Sequence, residues 1–201
     1  MFVVFEGGEG AGKSTQVQLL AEWLRSTGRS VVVTREPGGT PLGHRLRQIL
    51  LDVETGAVSP RAEALLYAAD RAEHVERVVQ PALRAGSVVV SDRYVDSSIA
   101  YQGAGRVLDP RDIARVSEWA TQGLVPDLTV LLDVDPRLGL ARFDSPADRL
   151  EGEPLEFHIR VREGFLALAA QAPKRYLVVD AADPVDVVHA QVRAAVGERA
   201  A

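Results

Sequence analysis

Residues 5–15 read FEGGEGAGKST. Within them Gly7-Gly8-Glu9-Gly10-Ala11-Gly12-Lys13-Ser14 fills the eight-position pattern G-x-x-x-x-G-K-[ST] of a phosphate-binding loop, followed by Thr15. The pattern carries weight only between a strand and a helix. Both flanks comply: FVVFE (2–6) is a short apolar run, and Val17, Leu20, Ala21 and Leu24 fall on one helical stripe. Glycines let the backbone wrap closely enough to turn several N–H groups inward, and the helix that follows adds the positive end of its dipole. Lys13 is then placed to reach the β- and γ-phosphates of a nucleotide, and Ser14 to ligate Mg²⁺. The loop does not say what receives the phosphoryl group.

The same strand-then-helix rhythm continues outward. Further buried-strand candidates are SVVVT (30–34), SVVVS (87–91), LTVLLD (128–133) and YLVVD (176–180). They are apolar throughout rather than alternating, as strands covered on both faces are. Ser59-Pro60 opens a long helix, with Leu65, Leu66, Ala69, Ala72, Val75 and Val79 on its apolar side. Another helix runs from about 155 to 170, and a last one follows Pro184. Five such strands with helical crossovers predict an α/β fold: a five-stranded parallel sheet with helices on both faces, in three layers, with ligands at the carboxyl ends of the strands.

With 201 residues, 46% hydrophobic and 25% charged, the chain fits one globular domain spanning 1–201. A net charge of −5 disfavours nucleic acid as partner. No cysteine occurs, which removes disulfides, thiolate nucleophiles and cysteine metal sites and suits a cytoplasmic protein. His44, His74, His158 and His189 lack metal-ligand spacing. The N-terminus lacks the basic flank of a signal peptide, and no apolar run reaches the ~20 residues of a membrane helix.

The second strand ends in Arg35-Glu36-Pro37-Gly38-Gly39 and the third in Asp92-Arg93-Tyr94. Two guanidiniums facing a phosphate loop exceed the needs of one nucleotide, so Arg35 and Arg93 are read as the clamp for an acceptor phosphate. Asp92 stands where a phosphate-loop enzyme keeps a metal-associated carboxylate. Structural pairing with Glu36 or Asp92 is the plainer alternative. A phosphate monoester, with a second pKa of ~6, is already a nucleophile and needs no general base. The absence of an N-K-x-D motif favours ATP over GTP.

FEGGEGAGKSTQ, TREPGGTPLG, LLYAADRAEHV, SDRYVDSSIAYQGAGR, LLDVDP and DRLE, in this order and spacing, resemble the thymidylate kinase family of bacterial type over almost the whole chain. The resemblance implies a nucleoside monophosphate kinase that uses ATP and Mg²⁺ to phosphorylate dTMP, and it implies a homodimer. It places Tyr67 against thymine, Arg71 at the base carbonyl O4, Tyr101 beneath the sugar, Ser98 and Gln102 near the base edge, and Glu9 near the 3′-hydroxyl. The thymine methyl is selected only by shape, worth roughly 1–3 kcal/mol, so dUMP is expected to be a poor but detectable substrate. The segment 143–152, with Pro146 and no apolar periodicity, is expected to be a lid over ATP. Where some relatives carry a basic residue within the loop this chain has Gly10, so Arg142, on a helix after Asp135-Pro136, and Arg149 are expected to neutralise the transferring charge. Asp144 and Asp148 stand in the lid in place of further arginines, and His44 replaces an acid of many relatives. A different nucleotide or deoxynucleoside acceptor, or an ATP-dependent binding switch, are the competing readings.

Overall fold

The computed structural model describes residues 1–142 and 148–200. Five strands form one parallel sheet: β1 (Phe2–Glu6), β2 (Val31–Arg35), β3 (Val88–Asp92), β4 (Leu128–Asp133) and β5 (Tyr176–Asp180), in the order β2-β3-β1-β4-β5. Each strand lies within one residue of its expected place. β1, β3 and β4 are buried almost throughout, whereas β2 and β5 are half-exposed because they form the sheet's edges.

The helices are α1 (Lys13–Ser26), α2 (Pro41–Leu51), α3 (Pro60–His74), α4 (Gln80–Arg84), α5 (Val95–Ser98), α6 (Pro110–Thr121), α7 (Pro136–Leu140), α8 (Leu155–Gln171) and α9 (Val185–Ala200). Alternation along the strands divides the core. Val3 and Phe5 of β1 face α1 and α9, packing with Leu20, Leu24, Val192 and Val196. Phe2 and Val4 face the opposite side, toward Val75, Val79 and Tyr94. Farther along that second side Leu131 meets Phe157 and Phe165 of α8. These are the three expected layers.

Two expectations are corrected. Of the apolar side expected for the helix from Ser59, Leu65 and Ala69 are exposed, whereas Leu66 packs against the core and Val75 and Val79, just beyond α3, are buried in it; the buried side of α3 itself is Glu63, Tyr67, Ala68, Asp70, Arg71 and His74. Polar groups occupy that face because they converge on the strand ends. Arg142 is not on a helix either, since α7 stops at Leu140. Gly139 lies so close to the phosphate loop that a Cβ there would stand 2.2 Å from the Glu9 carbonyl oxygen. Residues 143–147 of the expected lid, including Asp144 and Pro146, lie outside the described residues.

Register aligns the chemistry. Phe5 of β1 and Arg35 of β2 both pair with Asp92 of β3, so the segments leaving these three strands emerge side by side.

Candidate active site

The loop between β1 and α1 is held by its own lysine. Lys13 Nζ donates to the carbonyls of Gly7 at 3.1 Å and Gly8 at 2.8 Å. Burial and then the Arg93 charge lower its pKa from the usual lysine range. Gly10 has φ 68°, and a Cβ there would lie 2.0 Å from the Gly139 carbonyl oxygen, so only glycine fits. Ser14 Oγ donates to Asp92 Oδ2 at 2.9 Å, bringing a hydroxyl and a carboxylate to the mouth of the loop. Thr15 is exposed beside them.

Arg93 joins this loop to a cavity. Its backbone sits in the left-handed region at φ 71°, a strain of order 1–2 kcal/mol for a side-chain-bearing residue. Arg93 N–H to Phe5 O and Ser91 Oγ–H to Arg93 O, both 2.9 Å, hold it there. Nη1 then donates to Gly7 O and Ser97 Oγ at 3.1 Å, and Nη2 to Glu9 Oε1 at 2.7 Å. Tyr101 O–H donates to the same Glu9 oxygen at 2.6 Å. Burial disfavours the Glu9 carboxylate, but Arg93 and Lys13 outweigh it and hold the pKa at about 2. Beneath the loop, Glu6 Oε2 lies 2.6 Å from Ser97 Oγ. Burial, then Asp96, push its carboxyl up to about 8.

Along the cavity, Glu9, Arg93 and Tyr101 form one wall, and Tyr67 and Arg71 of α3 another. Ser98 and Gln102 stand at its floor, carried by α5 and by the π-helical turn Ile99–Gly105 that continues it. Seven of the eight residues expected to take dTMP thus line one space. Arg35 does not: it is exposed at the end of an edge strand, and its side chain makes no hydrogen bond or ion pair among the described residues. A third guanidinium lines the cavity beside those of Arg93 and Arg71: that of Arg47 of α2, anchored by a 3.2 Å bond from Nη1 to Pro37 O. The sequence offered a signal for it in Thr40-Pro41, a helix start that puts Arg47 on the second turn.

Arg149 is likewise elsewhere than expected. Its Nε donates to Leu50 O at 2.8 Å, and its Nη2 meets Glu63. Glu63 is fully buried and also accepts from Gln102 and Arg106, so it is the anchor of this corner. Arg142 stays with the loop, donating to Gly10 O at 2.7 Å and Ala181 O at 3.2 Å.

A phosphate loop on β1, a hydroxyl–carboxylate pair at its mouth and an arginine-lined cavity across from it define a nucleotide-dependent phosphotransferase of the nucleoside monophosphate kinase type. A family model described as thymidylate kinase matches residues 5–192. Thymidylate kinase of Clavibacter sepedonicus is 59% identical over 96% of this chain and 93% of its own. That of Bifidobacterium longum is 51% identical over 100% of this chain and 98% of its own. The crystal structure of thymidylate kinase from Ehrlichia chaffeensis superposes with a TM-score of 0.83 at 34% identity, covering 98% of both chains. The chain belongs to the thymidylate kinase family.

Proposed function

We infer that the protein transfers the γ-phosphoryl group of ATP to dTMP, giving dTDP and ADP. Family membership supports the reaction; the observation that carries the residue roles is Arg93, whose one guanidinium touches both the phosphate loop and the cavity. In this reading the loop amides of residues 7–15 and Lys13 hold ATP. Arg93 and Arg47 hold the phosphate of dTMP, with Arg35 left as an outer cation. Tyr67 stacks on the base and Arg71 donates to its O4. Ser98 and Gln102 border the base edge. Glu9 accepts from the deoxyribose 3′-hydroxyl, and Tyr101, wedged edge-on between Phe157 and Phe165 at 6.0 and 6.1 Å, leaves no room for a 2′-hydroxyl.

The acceptor phosphate is a dianion near neutral pH, so the protein's task is neutralisation and alignment rather than proton removal. Arg142, on the outer side of Gly10, adds a cation on the donor side; Arg149 serves the acceptor corner through Glu63. Ser14 and Asp92 fit Mg²⁺, since two hard oxygen donors lie together and no group of three or more His, Cys, Asp or Glu among the described residues forms a protein cage. Held by Ser14 and Asp92, the ion would supply charge neutralisation for the phosphoryl group in transfer.

Exposed Leu65 on α3 and Trp119 on α6 support the homodimer that the resemblance implies. No described helix is long and apolar enough to cross a membrane, which accords with a cytoplasmic place. The test is coupled ADP release with each nucleoside monophosphate in turn. Stimulation by dTMP, with dUMP weak, supports the reading; equal turnover without acceptor overturns it.

A further inference from the structure

Helix α3 does not by itself decide where Arg71 points. The guanidinium is gripped on several sides: Nε donates to Glu36 Oε2 at 2.7 Å, Nη1 to Ser98 Oγ at 3.1 Å and Ser117 Oγ at 3.4 Å, and Nη2 to the Tyr94 carbonyl at 2.9 Å. Four of its five N–H groups are thereby engaged, and one on Nη2 is left for whatever enters the cavity that Arg71 lines. Glu36 is itself oriented. Its second oxygen, Oε1, lies 2.8 Å from His74 Nδ1, and His74 Nε2 lies 2.6 Å from Thr34 Oγ1. A carboxylate only accepts, so Nδ1 carries the hydrogen in this pair. The Glu36 and His74 side chains are 2% and 0% exposed. The loop is fitted to the imidazole as well: a Cβ on Gly39 would stand 2.6 Å from His74 Cδ2.

Glu36 and Arg71 of this relay Thr34–His74–Glu36–Arg71 line the cavity, but none of its four side chains hydrogen-bonds to the phosphate loop, to Arg93 or to Arg47. A buried ion pair is weak evidence of stabilisation, because desolvation offsets the attraction. What such a relay does supply is direction. A guanidinium cannot accept, so the heading of its last N–H decides whether the facing ligand atom must be an acceptor.

We propose that Glu36 and His74 are positioning residues for base selection: they fix the plane of Arg71 so that its remaining N–H meets a carbonyl at position 4 of a pyrimidine and opposes an amino group there. The proposal rests on the dTMP reading above.

The test compares kcat/KM for dTMP and dCMP, which differ at position 4, in the hydrogen on N3 and in the methyl. His74→Gln reaches toward Thr34 but leaves Glu36 unheld, whereas His74→Asn retains a donor at the Nδ1 position. Glu36→Gln places an amide donor against a donor. His74→Gln and Glu36→Gln are expected to lower the dTMP:dCMP ratio at least roughly tenfold, and His74→Asn to keep it within about threefold. The KM for ATP should stay within about twofold in all three, since the relay does not touch the phosphate loop. Thermal unfolding is recorded beside each. Variants that unfold earlier but keep the wild-type ratio overturn the proposal, because a purely structural pair would behave so. Thr34→Val, which removes only the outermost hydroxyl, is the arm that decides if the Gln variants fail to fold: a ratio lowered by roughly twofold or more supports the relay, and an unchanged ratio overturns it. A wild-type protein inactive on dTMP would instead sink the functional reading itself.

Discussion

Glu63→Gln isolates the buried corner that ties the acceptor cavity together. The Glu63 carboxylate is fully buried and accepts from Gln102 Nε2 at 3.0 Å, from Arg106 Nε at 3.1 Å and Nη2 at 3.2 Å, and from Arg149. Glutamine keeps the shape and one acceptor oxygen but turns an NH₂ toward these donors and leaves two guanidiniums without a counter-charge. Breaking a buried pair from one side costs about 3–5 kcal/mol, and the retained oxygen argues for the lower end, about 3 kcal/mol. In a chain of this size each kcal/mol moves Tm by about 2–4 °C, so a fall of roughly 6–12 °C is expected by calorimetry at pH 7. The pH dependence has a definite sign. Burial opposes ionisation of Glu63, but the bonds from Arg106 and Gln102, and then the Arg106 charge and Arg149, outweigh it and lower its pKa. A carboxyl lowered on folding contributes stability above its unfolded pKa of ~4.3 and loses it as pH falls through the folded value. The gap between wild type and variant should therefore close in acid, below pH ~4. A Tm change under about 2 °C at pH 7, or a gap that widens in acid, would refute the reasoning.

Arg47→Ala should raise the KM for dTMP by roughly 10- to 100-fold with the KM for ATP unchanged, the worth of a charged hydrogen bond or two, whereas Arg35→Ala should stay within about threefold; steady-state kinetics reads both. Gly10→Ala forces a Cβ to within 2.0 Å of the Gly139 carbonyl, so ATP binding by titration calorimetry should be lost or fall at least roughly tenfold while circular dichroism still shows a folded chain. Glu6, whose pKa is raised to about 8 by burial and Asp96, keeps its proton in the folded state after the unfolded chain has released it. Wild-type stability should accordingly fall as pH rises from ~4.5 to 8, and Glu6→Gln, which mimics the protonated carboxyl, should flatten that slope in denaturant titrations.

The central strands were legible because burial on both faces leaves an unbroken apolar run, as in FVVFE and LTVLLD. The edge strands were legible from the same residues, Val31–Val33 and Val178–Val179, although half of that surface is uncovered. Helix α2 went unread, and Arg47 with it. Its start, Thr40-Pro41, carries the same cap signature as Ser59-Pro60, and Thr40 Oγ1 does accept from Gly43 N at 2.9 Å. Asp109-Pro110 likewise announced α6, where Asp109 accepts from Arg111 N at 2.9 Å. The stripe held for Val75 and Val79 but misled at Leu65 and Ala69, because apolar periodicity assumes that a helix buries its greasy side; within α3 the inward side is mostly polar, and Leu65 is exposed. Arg149 was misplaced for another reason. Its partner Glu63 lies 86 residues away, and no local pattern encodes such a pairing. Among the site residues, those within one short motif, Arg93 through Gln102, were placed together because α5 and the π-helical stretch that continues it carry them into one cavity.

The most direct measurement of the central claim is a crystal structure with dTMP and a non-hydrolysable ATP analogue. The account predicts the monophosphate against the guanidiniums of Arg93 and Arg47, the pyrimidine against Tyr67 and Arg71, and the triphosphate on the amides of residues 7–15. A monophosphate bound away from Arg93, or a base outside the Tyr67–Arg71 wall, would contradict it.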